Sequence, residues 1–171
     1  MTTDGQTVER GVHDARRFRN ALGWFTTGVA VVTTCEKGKA PIGITINSFS
    51  SVSLDPPLVL WCLDKKSDTL SVFEKATHFT VNVLREEHQE VSSRLARKGD
   101  HSLEGMGLCD SDTGCPALQE ALAHFECEVE ARHDAGDHII MIGRVQKFDH
   151  AEDGRPLLYH RGGYQMLPPV G

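Results

Sequence analysis

The longest β signal in the chain is a pair of segments separated by a short polar turn. Residues 122 to 132, LAHFECEVEAR, carry apolar side chains at every second position, at Phe125, Cys127, Val129 and Ala131, the period of a strand with one buried face. Residues 138 to 148, HIIMIGRVQKF, are again rich in β-branched and apolar side chains, and the DAGD before them consists of turn formers. A hairpin of this length commits the chain to a sheet, so other segments must pair with it and cover its apolar face.

Those segments are present. Residues 29 to 35 (VAVVTTC) and 42 to 50 (IGITINSFS) predict a second hairpin, turned by KGK at 37 to 39. LVLWCL at 58 to 63 follows Pro56 and Pro57, and its unbroken apolarity predicts a strand buried on both faces. FTVNVL at 79 to 84 and a short stretch at 157 to 159 complete the strands. Asp14 can cap a helix with Phe18, Ala21 and Leu22 on one face and Gly23 at its end. Ser67 can cap another, through about Lys75, with Leu70 and Phe73 on one side. EEHQEVSSRLARK, before Gly99, has acids at its front and bases at its back, which suits the helix macrodipole, with Val91 and Leu95 inward.

The glycine-rich stretch at 100 to 117 is long for a loop in a compact domain and reads as a lid over a ligand or an interface. Only some strands are separated by helices, so the order predicts a mainly β fold, a mostly antiparallel β-barrel with peripheral helices, rather than a βαβ array. Residues 1 to 13 are polar and aperiodic, as in a mobile tail, which leaves 14 to 171 as a single domain.

Composition narrows the function classes. The formal charge of −6 argues against a general positive field for nucleic acid. No apolar run approaches the roughly 20 residues that span a bilayer, and no secretory signal pattern opens the chain; the expected location is the cytoplasm, with no membrane partner. Five cysteines (Cys35, Cys62, Cys109, Cys115 and Cys127) include no C-x-x-C and read as reduced thiols. The nine histidines are scattered rather than set at ligand spacing, so no metal is expected. Gly105 and Gly107 are followed by Asp110 where a dinucleotide fingerprint needs glycine, and phosphate-loop, zinc-protease and hydrolase-elbow motifs are missing.

One run is rich in polar chemistry: TINSFSSVSLDPP at 45 to 57 offers hydroxyl and amide groups ahead of a proline pair. It can present donors and acceptors to a polar heterocycle, or be a Ser/Thr-rich strand end and turn. Together with WCL at 61 to 63, KSDT at 66 to 69, FTVNVL at 79 to 84, GDHII at 136 to 140 and LLYHRGGY at 157 to 164, it closely resembles the flavin reductase-like family. That family includes the small reductase components of two-component flavin-dependent monooxygenases, such as those acting on phenols and 4-hydroxyphenylacetate. The resemblance covers residues 15 to 166, nearly the whole chain.

It implies a split β-barrel of the FMN-binding, Greek-key type, a homodimer that binds FMN or FAD near the subunit interface and uses NADH or NADPH as cosubstrate. The implied activity is an NAD(P)H:flavin oxidoreductase supplying reduced flavin to a separate monooxygenase component. The alternatives are a reductase with tightly bound flavin serving a corrinoid or iron compound, and a non-catalytic flavin-binding module. Carried over by position, Thr45, Ile46, Asn47, Ser48 and Ser51 contact the flavin, and Ser53, Leu54 and Pro56 lie along its ring. Cys62 and Leu63 fall beside the same ring. Lys66, Ser67 and Thr69 meet the phosphate, a role that helix N-termini suit, although Asp68 between them would repel an anion if it pointed inward and Ser67 can instead be a plain N-cap. His138 is placed near flavin and nicotinamide, as a donor or cation toward developing negative charge, or is a strand-edge histidine bonded to backbone. Arg161 and Tyr164 form the nicotinamide-side wall, with a surface ion pair as the other reading of Arg161.

Overall fold

The computed structural model describes residues 14–168; the tail expected over 1 to 13 lies outside them. In chain order the elements are α1 (Ala15–Leu22), β1 (Thr27–Gly28), β2 (Ala30–Thr34), β3 (Ile42–Ile46), β4 (Ser50–Leu54), β5 (Pro57–Asp64), α2 (Leu70–Phe73) and β6 (His78–Val83). A 3-10 turn at Glu86–His88 leads into α3 (Gln89–Leu95), followed by β7 (Leu108–Cys109), β8 (Ala117–Leu118), β9 (Ala123–Ala135), β10 (His138–His150), β11 (Leu158–His160) and β12 (Gly163–Gln165).

The hairpin read from the sequence is the spine of the sheet. β9 and β10 pair from Ala123 and His150 to Ala135 and His138. Only Gly136 and Asp137 turn the chain, with Gly136 at φ 65°, a conformation glycine adopts without steric penalty. Bulges between Ile142 and Gly143 and between Val145 and Lys147 interrupt the register. Strict alternation fails beside the second: Cys127 is buried as expected, and so is Glu126. The chain around residue 112 covers that outer face, where the Glu126 carboxylate accepts the Asp112 N–H at 3.0 Å.

Seven strands form one sheet in the order β3-β2-β6-β9-β10-β5-β4, all pairs antiparallel. The two end strands, β3 and β4, are consecutive in the chain and joined by Asn47–Phe49 alone. Laid flat, seven strands would hold those edges about 29 Å apart, whereas the link from Ile46 to Ser50 spans at most about 14 Å. The sheet therefore curls, although no ladder bonds β3 to β4. Inside the curl, Trp61 meets Phe73 and Phe79 edge-to-face at 5.1 and 5.8 Å, packed with Val32, Val59, Val81 and Met141.

Three expectations need correction. β5 is not buried on both faces: Val59, Trp61 and Leu63 point into the core while Leu58, Leu60 and Cys62 are half-buried on the other side, because no layer fully covers that face. α2 spans only Leu70–Phe73 with Thr69 at its N-cap position, because the Ser67 hydroxyl accepts the Thr69 N–H at 3.2 Å and meets the Thr69 hydroxyl at 2.8 Å, a local turn instead of a helix cap. The stretch from 100 to 117 is docked rather than a free lid. Thr33 and Thr80 donate to the Pro116 and Cys115 carbonyls at 2.6 and 2.7 Å, and Asn82 Oδ1 accepts the Leu118 N–H at 2.8 Å. Those buried polar side chains of β2 and β6 need partners, and Leu103 and Leu118 complete a second apolar cluster with Val31, Leu84 and Leu95.

Gly143 marks the tightest approach in the sheet. A Cβ there would overlap the Phe79 ring and come within 2.8 Å of Cys127 Cβ, and both neighbours are fully buried. Gly143→Ala is expected to lower the unfolding free energy by about 1–3 kcal/mol in urea denaturation; a variant as stable as the parent would show that the strand crossing has room to spare.

Candidate functional site

The segment linking the two edges of the sheet also walls a cavity. On β3, Ile44 and Ile46 belong to the core, which leaves Gly43 and Thr45 facing outward, toward α3. Thr45 Oγ1 donates to the Ser92 carbonyl at 2.8 Å, fixing strand and helix together. Beyond that contact a cavity of about 220 Å³ opens between Thr45, Ile46 and Asn47 on one side, Ser92 and Ala96 below, and Tyr159 and Tyr164 opposite. The two tyrosines face each other across the β11–β12 pairing, ring centroids 5.5 Å apart and nearly perpendicular, and Tyr164 Oη lies 2.8 Å from Ser92 Oγ.

Next along the link, Ser48 Oγ accepts the Cys62 N–H at 2.9 Å and lies 3.4 Å from the Cys62 carbonyl, tying the link to β5. Burial pushes the Cys62 thiol up from its ordinary value, against the opposing pull of Ser48, so the group stays protonated and is a poor nucleophile. Ser51 and Ser53 pair with Val59 and Leu58 on the edge strand β4. Leu54 is 95% exposed, and Pro56 is half-buried. Leu63 is different from the rest, since its side chain is sealed in the core and only its backbone can face a ligand.

The phosphate candidates sit where β5 ends. Lys65 Nζ is taken by Asp134 at 2.6 Å and the Gly136 carbonyl at 2.7 Å, which binds this loop to the hairpin tip, while Lys66 has no ion pair among the described residues. Asp68 is turned away from Ser67 and Thr69: its carboxylate accepts the Gly99 N–H at 2.6 Å and lies 2.8 Å from His101 Nε2. Those bonds, the Gly99 amide first, hold its carboxyl below the usual carboxylate range. Both Asp68 oxygens are thus engaged by Gly99 and His101.

His138 opens β10 opposite Asp64, with Nδ1 2.7 Å from Asp137 Oδ1. Its partner is a carboxylate rather than backbone, and that bond lowers the Asp137 pKa. Arg161 makes no ion pair among the described residues; its guanidinium lies 4.2 Å over the Trp24 ring, a cation–π contact, and its N–H bonds the Gly23 carbonyl. Thus Thr45, Ile46, Asn47 and Tyr164 share one cavity, Ser48 and Cys62 lie outside its lining and are hydrogen-bonded to each other, Lys66, Ser67, Thr69 and His138 gather at one end of the β5–β10 pair, and Arg161 is engaged with Trp24.

Val29, Ser92, Ala96 and Tyr159 complete the cavity and are not among the residues the sequence points to. Ser92 could have been found by its position three residues before Leu95, on the same helical face. Two larger clefts, of about 460 and 620 Å³, share walls at His88, Gln119 and Glu120. Neither contains a residue of the 45–57 run, and burial lowers the pKa of His88 between them.

A curled antiparallel sheet with a small cavity walled by hydroxyl, amide and tyrosine groups has the chemistry that suits a flat, polar heteroaromatic ligand. The flavin reductase like domain family matches residues 22–168, and the chain belongs to that family. It is 40% identical over 169 residues to the reductase subunit HsaB of a flavin-dependent monooxygenase from Rhodococcus jostii, covering 99% of this chain and 86% of the relative. It is 46% identical over 154 residues to the FMN reductase (NADH) SmoA of Agrobacterium fabrum, covering 90% and 87%. Among solved structures, the Streptomyces globisporus NADH:FAD oxidoreductase SgcE6 in complex with NAD and FAD fragments superposes with a TM-score of 0.86 at 30% identity, covering 91% of this chain and 94% of that one.

The Asp68 clamp has a pH signature. Its folded pKa lies below the unfolded value, so its contribution to stability is present above the ordinary carboxylate range and lost as pH falls through the folded value. Asp68→Asn is expected to flatten the fall in unfolding midpoint below about pH 4; an acid limb identical to the parent's would contradict the clamp.

Proposed function

We propose that this chain is the NAD(P)H-dependent flavin reductase of a two-component system, taking hydride from NADH or NADPH onto FMN or FAD and passing reduced flavin to a separate monooxygenase. The observation that carries this reading is the cavity between Thr45–Asn47 and the tyrosine pair, in a chain whose relatives are a reductase subunit and an FMN reductase.

The lining fits the group. Asn47 offers an amide and two aromatic faces supply stacking area, while the Thr45, Ser92 and Tyr164 hydroxyls are engaged in the bonds that hold the walls. Thr45, Ile46, Asn47, Ser48 and Ser51 would hold the flavin, with Ser53, Leu54, Pro56, Cys62 and the Leu63 backbone along its ring, and Lys66, Ser67 and Thr69 toward its phosphate. Bound there, flavin supplies the hydride chemistry. The protein positions it and shapes the surrounding field. Asp68 keeps its charge on Gly99 and His101, and His138, steadied at Nδ1 by Asp137, would donate from Nε2 toward negative charge as the doubly protonated imidazolium. Cys62 lines the site as a neutral thiol.

The same reading places the chain in the cytoplasm as a homodimer on a split β-barrel. The curl that brings β3 and β4 together supports the barrel. Trp24, Phe25, Leu54 and Phe148, exposed at 63, 79, 95 and 65%, are apolar surface that a second copy would cover.

Nicotinamide oxidation by the purified protein is expected to rise when FMN or FAD is added, with reduced flavin released to the medium. Absence of sustained turnover would point to a binding module, and turnover with flavin retained through gel filtration to another acceptor. His138→Ala is expected to raise the KM for reduced nicotinamide roughly tenfold, the scale of one charge-assisted hydrogen bond, with flavin affinity largely kept; unchanged kinetics would remove His138 from the site.

A further inference from the structure

Ser92 is fully buried, yet it carries a hydroxyl on the inward face of α3, where Leu95 is its apolar neighbour. Its carbonyl, which also takes the helical Ala96 N–H, and its hydroxyl both serve the cavity. The carbonyl accepts the Thr45 hydroxyl at 2.8 Å, which fixes the helix to the β3 wall. The side-chain oxygen meets Tyr164 Oη at 2.8 Å, which reaches the opposite wall. One residue therefore spans the floor of a cavity whose sides come from elements about 120 residues apart.

The tyrosines pack against the second apolar cluster, and Leu157, just before β11, bonds Val29 and Leu84 through its backbone. β11 and β12 are three residues each, and the ladder partner of β11 on its far side is the two-residue β1. Tyr164 sits on the outer strand of this small sheet, packed edge-on against Tyr159. Such short strands are marginal by themselves, so a hydrogen bond from the phenol tip to a rigid helix adds direction to the apolar packing that seats the ring.

We propose that Ser92 is a positioning residue of the flavin cavity: its hydroxyl holds Tyr164 Oη and thereby sets the wall opposite Thr45–Asn47. The proposal rests on the flavin reading of that cavity. Ser92 acts through Tyr164, by reducing the freedom that the ring would otherwise lose on binding.

The test is an FMN titration of the purified protein and its variants, followed by flavin fluorescence, with the urea midpoint of each variant measured alongside. Ser92→Ala is expected to weaken FMN binding roughly 2- to 12-fold, the range for one net hydrogen bond. Tyr164→Phe, which deletes only a partly exposed hydroxyl, is expected to show the same loss. The double variant should be no weaker than the worse single one, and Ser92→Thr should restore affinity. A serine that merely filled space would give losses that multiply, with no deficit in Tyr164→Phe; either result overturns the proposal, as does Ser92→Ala binding like the parent. Should Ser92→Ala unfold, Tyr164→Phe decides, and parental affinity in that variant overturns it. A parent protein that takes up no FMN overturns the functional reading itself and this proposal with it, a different failure from a parent that binds while the variants match it.

Discussion

The structure depends on a three-residue connection. Asn47–Phe49 joins the two end strands of a seven-stranded antiparallel sheet, and a link that short is compatible only with a sheet rolled upon itself. Ser48 secures the join by exchanging hydrogen bonds with the backbone of Cys62 on β5, and Phe49 stacks on Phe125 of β9 with centroids 5.6 Å apart. Rolling encloses Trp61, Phe73 and Phe79. It also turns the polar residues flanking the join outward, where α3 and the tyrosine pair stand over them.

Fold and site thus use the same atoms for two purposes. Thr45 secures α3 and walls the cavity. The loop after β5 is held at both ends, by Lys65 on the hairpin tip and by Asp68 on Gly99 and His101. The second anchorage commits the Asp68 carboxylate to Gly99 and His101, while the Ser67 and Thr69 hydroxyls bond each other. A rigid scaffold with polar groups fixed before a ligand arrives loses little freedom on binding, which is how a small site on a short chain can hold a large cofactor.

The local parts of this arrangement were legible in the sequence, and the non-local parts were not. Alternation at Phe125, Cys127 and Val129 located β9 because a half-buried strand must alternate, and Gly136 marked its turn. β4 was visible only as a polar run, since an edge strand exposed on most of its length has no apolar period to read. The order of α2 was misjudged because Ser67 and Thr69 bond each other, a choice that Ser–x–Thr leaves open. In the site, Thr45 to Asn47 and Tyr164 came from motif order. The contact of Arg161 with Trp24 joins residues 137 positions apart, and no spacing rule reports on such a pair. Val91 and Leu95 pack on the second cluster as their spacing predicts, and Ser92 beside them is a polar residue on a buried face, which an apolar pattern does not report.

The proposal at the centre is one of place: that the rolled edge of the sheet, rather than another concavity among the described residues, receives the flavin. A crystal structure of the protein soaked or grown with FMN tests it most directly. The account predicts the ring between Thr45–Asn47 and the Tyr159–Tyr164 pair, with the phosphate toward Lys66, Ser67 and Thr69. A ring lodged instead in the clefts beside His88 and Glu120 would contradict it.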